Sequence, residues 1–295
     1  MNKIVFFGNE QIAQGLKNKT TPVFDSLVSS NLEVRALVLP KRISVVSRKS
    51  YEIPIIESAK KSNIRIIYAS EVDLEKELEK LNADAGVLVS YGRIVSQKII
   101  DVFPHGIINI HPSLLPKYRG PTPVENTILN GDRLAGVSLM SLVNEMDAGP
   151  IYLQDKITLS GTENKIELCE KLVNLGKSML IHNLPDILNG KLKPYNQPDL
   201  GVTFTQKISK SDGNLDPNTM AADECEREIR AYLGFPKTRI SFLGKSIIVT
   251  KAHVEQHESE FGVQCSDGKW LIIDELIPQN GKQMDIKSYL NGIRI

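Results

Sequence analysis

Short apolar runs alternate with amphipathic segments along the first two-thirds of the chain. The runs that predict strands lie at 4–7, 34–39, 64–68, 85–90, 106–111, 136–143 and 151–159. The segments that predict helices lie at 22–30, 53–62, 72–81, 96–103 and 162–189. Because the early strand runs are almost continuously apolar, both faces of these strands should be covered. Strands that alternate with helices predict an α/β fold with a doubly wound, mostly parallel, Rossmann-like sheet.

The last third of the chain follows a different pattern. Residues 190–206 are rich in Gly and Pro and lack a helical period, which predicts a linker. Beyond it the pattern predicts a helix, two hairpins and a final helix, at 217–234, 239–254, 261–276 and 284–292. Hairpins of short antiparallel strands favour a small β-barrel of the OB type. We therefore expect an α/β domain at 1–189, the linker, and an OB-like domain at 207–295.

Composition and charge are those of an ordinary soluble globular protein. Of 295 residues, 41% are hydrophobic and 24% are charged, and the formal net charge is +1. A nucleic-acid-binding surface must therefore be a local cluster of Lys and Arg. The three cysteines are far apart and form neither a disulfide framework nor a metal-ligand pair, which favours the reducing cytoplasm. The opening MNKIVFFG is too short for a signal-peptide core, and no later stretch approaches a membrane span.

The first predicted strand does not lead into a nucleotide-binding loop. The segment GNEQIAQG, residues 8–15, departs from G-x-G-x-x-G because Glu10 stands at the second glycine position. A carboxylate there would face the pyrophosphate of a dinucleotide. No Walker-type loop occurs anywhere in the chain. Binding of NAD or ATP is therefore not expected.

The stretch NIHPSLLPKYRG, residues 109–120, places an amide and an imidazole at the end of a buried strand. Asn109 and His111 are two residues apart, so their side chains point to the same face. Ligands of open α/β sheets bind beyond the carboxyl ends of the strands, where this pair lies. Asp147 follows the strand at 136–143 and can reach His111 if the two strands are neighbours.

This set of groups suits acyl transfer without a covalent acyl-enzyme. Asn109 and a protonated His111 can stabilise the oxyanion of a tetrahedral intermediate. Asp147 can keep the imidazole protonated and oriented, or relay a proton from an attacking amine through water. No Ser or Cys lies in the position of an activated nucleophile. Spacing alone also allows purely structural roles, since a histidine at a strand end and an aspartate before Ala-Gly are ordinary features.

Longer segments carry a resemblance to a known family. The stretches INIHPSLLPKYRGPTPVENTILNGD, residues 108–132, and GVSLMSLVNEMDAGPI, residues 136–151, resemble the 10-formyltetrahydrofolate-dependent formyltransferases. Farther along, TFTQKISKSDGNLD and EIRAYLGFP, at 203–216 and 228–236, resemble the second domain of members that act on methionyl-tRNA. The resemblance implies 10-formyltetrahydrofolate as the formyl donor, without a metal, and charged initiator methionyl-tRNA as the acceptor. The product would be N-formylmethionyl-tRNA for translation initiation.

The resemblance also implies roles for individual residues. Asn109, His111 and Asp147 match the catalytic Asn, His and Asp of the family. The residues that match its folate-contacting segments are Ser113, Leu114, Leu115, Pro116, Val89, Ser90, Tyr91 and Gly92. The basic residues that would contact tRNA are Lys41, Arg42, Arg48, Lys49, Lys117, Arg119, Lys207 and Lys210. The first loop is longer than the G-T-P-D-F pattern common in the family, so no methionine pocket is assigned.

Two other functions remain open. Formylation of a nucleotide-linked amino sugar uses the same three residues, but the basic segment at 40–54 and the linker lysines favour tRNA. A non-catalytic RNA-binding module is disfavoured by the intact set of Asn109, His111 and Asp147. The remaining expectations are a cytoplasmic monomer that binds folate and tRNA, with no DNA or membrane partner.

Overall fold

The computed structural model describes residues 1–13, 19–42, 53–279 and 281–293. In these ranges seven strands form the first sheet: β1 (Lys3–Gly8), β2 (Glu33–Leu39), β3 (Arg65–Tyr68), β4 (Ala85–Val89), β5 (Ile107–His111), β6 (Leu134–Ser141) and β7 (Ile151–Thr158). Their spatial order is β3-β2-β1-β4-β5-β6-β7. The first five strands are parallel to one another. β6 runs antiparallel to β5, and β7 runs antiparallel to β6.

Helices cover both faces of this sheet. They are α1 (Pro22–Val28), α2 (Pro54–Lys61), α3 (Leu74–Glu79), α4 (Gln97–Asp101), α5 (Pro123–Leu129) and α6 (Lys165–Leu188). Phe24 of α1, Ile55 of α2 and Leu172 of α6 pack in one core, whereas Leu78 of α3 and Ile99 of α4 pack in the other. The doubly wound, mostly parallel α/β class is therefore confirmed. The sequence pattern does not predict α5, because seven residues are too few to show a helical period.

A second, antiparallel sheet lies in the C-terminal part of the chain. Its strands are β8 (Thr238–Phe242), β9 (Lys245–Glu255), β10 (Gly262–Gln264), β11 (Trp270–Pro278) and β12 (Met284–Asp285). The order is β10-β11-β9-β8, and β12 pairs with β11. Both predicted hairpins are confirmed, with left-handed backbone at Leu243-Gly244 and at Gly268. The helices α7 (Ala222–Ala231) and α8 (Ile286–Ile293) pack against this sheet, which confirms the small OB-like fold.

The helix α7 joins the two halves of the molecule. Cys225 and Ile229 pack in the core of the second sheet, whereas Ala231 and the following Tyr232 pack in the core of the first. On another side of α7, Arg227 donates through Nε to a backbone carbonyl at the end of α5, over 2.9 Å. The two sheets are thus connected by packing as well as by the linker. The boundaries proposed from sequence, at 189 and 206, stay predictions.

Glu228 is a buried acid on α7. The residue is 8% exposed, and among the described residues its Oε1 atom has no hydrogen-bond partner. Burial, with a smaller contribution from the negative charge of Asp212, raises the pKa of Glu228 from 4.5 to about 7. Between these two pH values the folded protein holds the proton and the unfolded chain does not. The free energy of unfolding therefore falls as the pH rises through this window.

We expect Glu228→Gln to stabilise the protein at alkaline pH. The substitution removes a buried charge, so the free energy of unfolding should rise by on the order of 2 kcal/mol at pH 8, and by much less at pH 5. Urea unfolding at both pH values measures the difference. Glu258→Gln, at an exposed position of the same domain, is the control. Equal gains at pH 5 and pH 8 would contradict the assignment of the titration to Glu228.

Candidate active site

A cavity of about 790 Å³ opens at the carboxyl ends of the central strands. It lies beside the switch point of the sheet, where the strand order reverses between β1 and β4. Residues that follow β1 and β4, and residues at the end of β5, form part of its wall: Asn9, Gln11, Ser90, Tyr91, Gly92, Asn109 and His111. Gly8 permits the ends of β1 and β4 to meet. Its φ is +112°, and a Cβ there would lie 2.0 Å from the Val89 carbonyl oxygen.

Alternation along β5 aims Asn109 and His111 into the cavity. Ile108 and Ile110 lie in the core on the side of α6, so the intervening residues face the opposite side of the sheet. Asn109 and His111 are 5% and 4% exposed, and both line the cavity. The pair predicted from the two-residue spacing is therefore placed on one face, in a site largely shielded from water.

His111 has hydrogen-bond acceptors beside both ring nitrogens. Nε2 lies 3.0 Å from the carbonyl oxygen of Tyr118, and Nδ1 lies 3.7 Å from Oδ1 of Asp147. A carbonyl oxygen only accepts, so Nε2 carries a hydrogen. The ring therefore lies between a carbonyl that accepts from one nitrogen and a carboxylate that faces the other.

Asp147 reaches His111 by a route that the sequence does not indicate. The strands β5 and β6 are neighbours, as expected, but β6 is antiparallel and ends beside the start of β5, where Ser141 pairs with Ile108. The segment 142–149 must then return along β5 to bring Asp147 to its other end. There the Oδ2 atom of Asp147 accepts a hydrogen bond from the backbone N–H of Gly120, at 2.8 Å. The backbone of Asp147 is left-handed, with φ of +49°.

The residues matched to folate contacts fall into two groups. Ser90, Tyr91 and Gly92 line the cavity, whereas Val89 belongs to the core of the sheet. The other group, near β6 and β7, comprises Ser113, Leu114, Leu115 and Pro116. There Ser138 accepts a bond from the Leu115 backbone N–H and donates one to the Ser113 carbonyl. This second group does not line the cavity.

Several of the basic residues proposed for tRNA have partners within the protein. Arg42 forms two hydrogen bonds of 3.0 Å with Glu71, and Lys117 bonds Asp132 at 2.7 Å. Arg119 is 9% exposed and donates to a side chain of the predicted linker. Lys41 and Lys210 are exposed, and Lys207 lines the cavity. Arg48 and Lys49 lie outside the described residues, and the tRNA contacts stay predictions.

The cavity includes residues that the sequence does not single out. Ile12, Ala13, Pro123 and Phe235 form an apolar part of its wall. Phe235 follows α7, more than 120 positions beyond His111 in the chain. Only the docking of α7 against α5 brings it here, so no local sequence signal could have identified it.

Glu10, which argued against dinucleotide binding, fills the position that a phosphate would need. Its carboxylate accepts the backbone N–H groups of Val23 and Phe24, at 3.0 and 2.7 Å, at the start of α1. The helix N-terminus after the first strand is the usual phosphate site in dinucleotide-binding folds. Burial raises the pKa of Glu10 to about 7, despite these two hydrogen bonds. The free N–H groups at the start of α1 are therefore bonded by a carboxylate of the protein itself.

The described part of the chain contains no group of three or more His, Cys, Asp and Glu side chains arranged to hold a metal ion. Its helices fall short of the length and apolar character that a membrane-spanning segment requires.

Comparison with protein families decides the class of the enzyme. Residues 2–184 match the formyl transferase family, and residues 207–294 match the C-terminal domain of formyl transferases. The chain belongs to the formyl transferase family. The longer match runs from β1 into α6 and includes the cavity residues of β5 and the 142–149 segment. The resemblance seen in the sequence is thus confirmed, and the protein is a formyl group transferase.

Named relatives and a solved structure resemble this formyl transferase over most of its length. A methionyl-tRNA formyltransferase from Halorhodospira halophila is 29% identical across 99% of this chain and 97% of its own. One from Coxiella burnetii is 32% identical across 88% of this chain and 81% of its own. An N-formyltransferase from Helicobacter canadensis, in complex with folinic acid and dTDP-3-aminofucose, has a TM-score of 0.71 and 19% identity, over 92% of this chain and 99% of that one. At 19% identity this structural match shows the shared fold alone.

Proposed function

We propose that this formyl transferase carries the formyl group of 10-formyltetrahydrofolate to the α-amine of methionyl-initiator-tRNA, giving N-formylmethionyl-tRNA. One observation carries the proposal: Asn109, His111 and Asp147 meet in a cavity that is lined both by the loop after β4 and by apolar residues. The reaction needs a folate and an aminoacyl end to meet at one carbonyl carbon. A cavity that holds the three groups together with polar and apolar surface suits that requirement.

The donor side of the cavity is the loop after β4. Ser90 and Gly92 have positive φ, and the Ser90 hydroxyl donates a hydrogen bond to the carbonyl of Gln11. Such a fixed loop exposes backbone N–H and C=O groups that can match the donors and acceptors on the edge of a pterin ring. The Helicobacter canadensis relative was solved with folinic acid, which supports a folate in this fold. The donor of this chain is therefore proposed to bind here.

The three polar residues would act on the tetrahedral intermediate. The neutral α-amine attacks the formyl carbon, and the carbonyl electron pair moves to oxygen. The Asn109 amide and the His111 imidazolium donate hydrogen bonds to that oxyanion. When the carbonyl re-forms, the bond from carbon to folate N10 breaks and its electron pair goes to N10, which takes up a proton. Asp147 holds the imidazolium and accepts the proton lost by the amine through water. Return of that proton to N10 by the same route balances the step and restores the Asp147 carboxylate.

The acceptor side is the apolar wall of Ile12, Ala13, Pro123 and Phe235. A thioether side chain is apolar and flexible, so it can fill such a surface. Lys207 lines the same cavity and would lie close to phosphates of a bound acceptor end. The relatives that match this chain over nearly its whole length carry the name methionyl-tRNA formyltransferase. These observations favour an aminoacyl-tRNA over a nucleotide-linked amino sugar.

The acceptor is tested by formyl transfer from 10-formyltetrahydrofolate to three acceptors in parallel. Charged initiator methionyl-tRNA is expected to be formylated with a kcat/KM at least about 10²-fold above charged elongator methionyl-tRNA and the amino sugar. Heat-inactivated protein gives the background rate. Transfer to the amino sugar alone would overturn the tRNA acceptor and keep the folate site. A cytoplasmic location and a monomeric state stay predictions.

A further inference from the structure

Gln197, in the predicted linker, makes four hydrogen bonds around the candidate active site. Its Nε2 atom donates to the backbone carbonyls of Asp147 and Gly149, both at 2.8 Å. Its Oε1 atom accepts from Nε and Nη2 of Arg119, at 3.0 and 2.8 Å. The side chain therefore joins the returning segment 142–149 to the stretch after β5. All its polar atoms are engaged.

The partners require a carboxamide at this position. Carbonyl oxygens only accept hydrogen bonds, and a guanidinium only donates them. The side chain at this position must therefore donate to the two carbonyls and accept from the guanidinium, as only a carboxamide does. A carboxylate would keep the bonds to Arg119 but would repel the two carbonyls. An apolar side chain of the same length would lose both sets. A carboxylate at position 197 thus removes only the bonds to the two carbonyls, whereas an apolar side chain also removes the bonds to Arg119.

The backbone at Asp147 needs external support. A non-glycine residue with φ of +49° is in a sparsely populated conformation, which persists only when its surroundings hold it. Residues 144–146, just before it, are exposed, and the Glu145 carboxylate lies 3.8 Å from the Arg119 guanidinium. The carboxylate is held from one side by the Gly120 N–H, and the backbone carbonyl is held from the other by Gln197.

Arg119 completes a closed ring of contacts. It precedes Gly120, and its backbone carbonyl accepts the N–H of Thr205 at 2.7 Å, so this stretch is itself tied to the linker. Gln197 bonds the side chain of Arg119, the residue before the Gly120 N–H. It also bonds the backbone carbonyl of Asp147, whose carboxylate accepts from that N–H. One linker side chain thus contacts the chain on both sides of the bond between Gly120 and Asp147.

We propose that Gln197 is a positioning residue for Asp147, setting the distance between its carboxylate and the His111 imidazole. This rests on the proposed role of Asp147 in formyl transfer. Gln197 does not touch the reacting atoms. It acts through the backbone of Asp147, and the linker thereby becomes part of the active site.

The test compares Gln197→Met, Gln197→Glu and Asp147→Asn, with Asn196→Ala as the control at the exposed neighbouring position. Gln197→Met and Gln197→Glu are both expected to lower kcat by at least about tenfold, with KM for 10-formyltetrahydrofolate changed by less than about twofold. The pH dependence of kcat should change as it does in Asp147→Asn. In the Asp147→Asn background, Gln197→Met should lower kcat by less than about twofold further. Thermal unfolding of each variant shows whether it is folded at the assay temperature.

Three results would count against these proposals, and they are distinguishable. If Asp147→Asn inactivates the enzyme while folded Gln197→Met keeps its kcat and pH profile, the positioning role of Gln197 fails alone. If Gln197→Glu retains full kcat, the bonds to the two carbonyls are unnecessary and the role again fails. If Asp147→Asn itself leaves kcat unchanged, the proposed function of the three residues fails first.

Discussion

Asn109→Ala is expected to lower kcat for formyl transfer by about 10²- to 10³-fold, with the KM for both substrates nearly unchanged. The physical reason is that the Asn109 amide donates to an oxygen whose charge develops only in the transition state. Loss of one such donor in a water-shielded site costs about 2.7–4 kcal/mol of transition-state stabilisation. Asn109 is 5% exposed at the end of β5, so the site has the required shielding.

Single-turnover assays with saturating 10-formyltetrahydrofolate measure this effect without interference from product release. Asn174→Ala is the matched control, because Asn174 is an exposed asparagine on α6 outside the cavity. It is expected to keep the rate of the unmodified protein. If Asn109→Ala also kept that rate, the proposed role of Asn109 as an oxyanion donor would fail.

Lys165→Met is expected to lower the free energy of unfolding by about 3–5 kcal/mol. Lys165 and Glu125 are fully buried, and Nζ of Lys165 lies 3.5 Å from Oε1 of Glu125 and donates to the Phe235 carbonyl over 2.9 Å. Desolvation lowers the pKa of Lys165, and the charge of Glu125 opposes that shift. Removal of the ammonium leaves a buried carboxylate without this compensating charge. The cost of breaking such a pair exceeds that of replacing both members.

Urea unfolding of Lys165→Met and of the double variant Lys165→Met/Glu125→Leu tests this account. The double variant should recover most of the lost stability, because no ion of the pair then remains in the core. A double variant as unstable as the single one would show that cavity formation, and not the buried Glu125 carboxylate, sets the loss in free energy of unfolding. Since Lys165 holds the Phe235 carbonyl and Phe235 lines the cavity, folded Lys165→Met should also show a raised KM for the acceptor.

The pattern of apolar runs and turn residues predicts much of the fold, because strands, helices and hairpins depend on residues that are close in the chain. The continuous apolar runs of β1 to β5 require cover on both faces, and α1 to α4 together with α6 provide it. The hairpin turns at Gly244 and Gly268 follow from residues that tolerate left-handed backbone. The short helix α5 carried no periodic signal. Its position depends on packing against α6 and α7.

The candidate site was only partly predictable. Asn109 and His111 share a face because of strand geometry, which the two-residue spacing expresses directly. The sequence identifies Asp147 as a candidate. Its position beside His111 depends on the antiparallel direction of β6 and on the return of the segment 142–149 along β5. A tRNA contact of Arg119 stays a prediction, whereas the bond of its guanidinium to Gln197 is a finding of the structure. That partner is 78 positions away in the chain, so no local pattern relates the two.

The sequence by itself determined the alternation of strands and helices, the pairing of Asn109 with His111 on one face, and the resemblance to the formyl transferases. These features depend on residue order over a few positions, or on motifs that keep their order. The tertiary structure decided that Glu10 occupies the α1 N-terminus, that Phe235 enters the cavity, and that Gln197 holds Asp147. The Glu10 contact spans 13 and 14 positions within the first strand–helix unit, and the bond from Gln197 to Asp147 spans 50. The last two features exist because packing of the two sheets and the linker brings together residues that are distant in the chain.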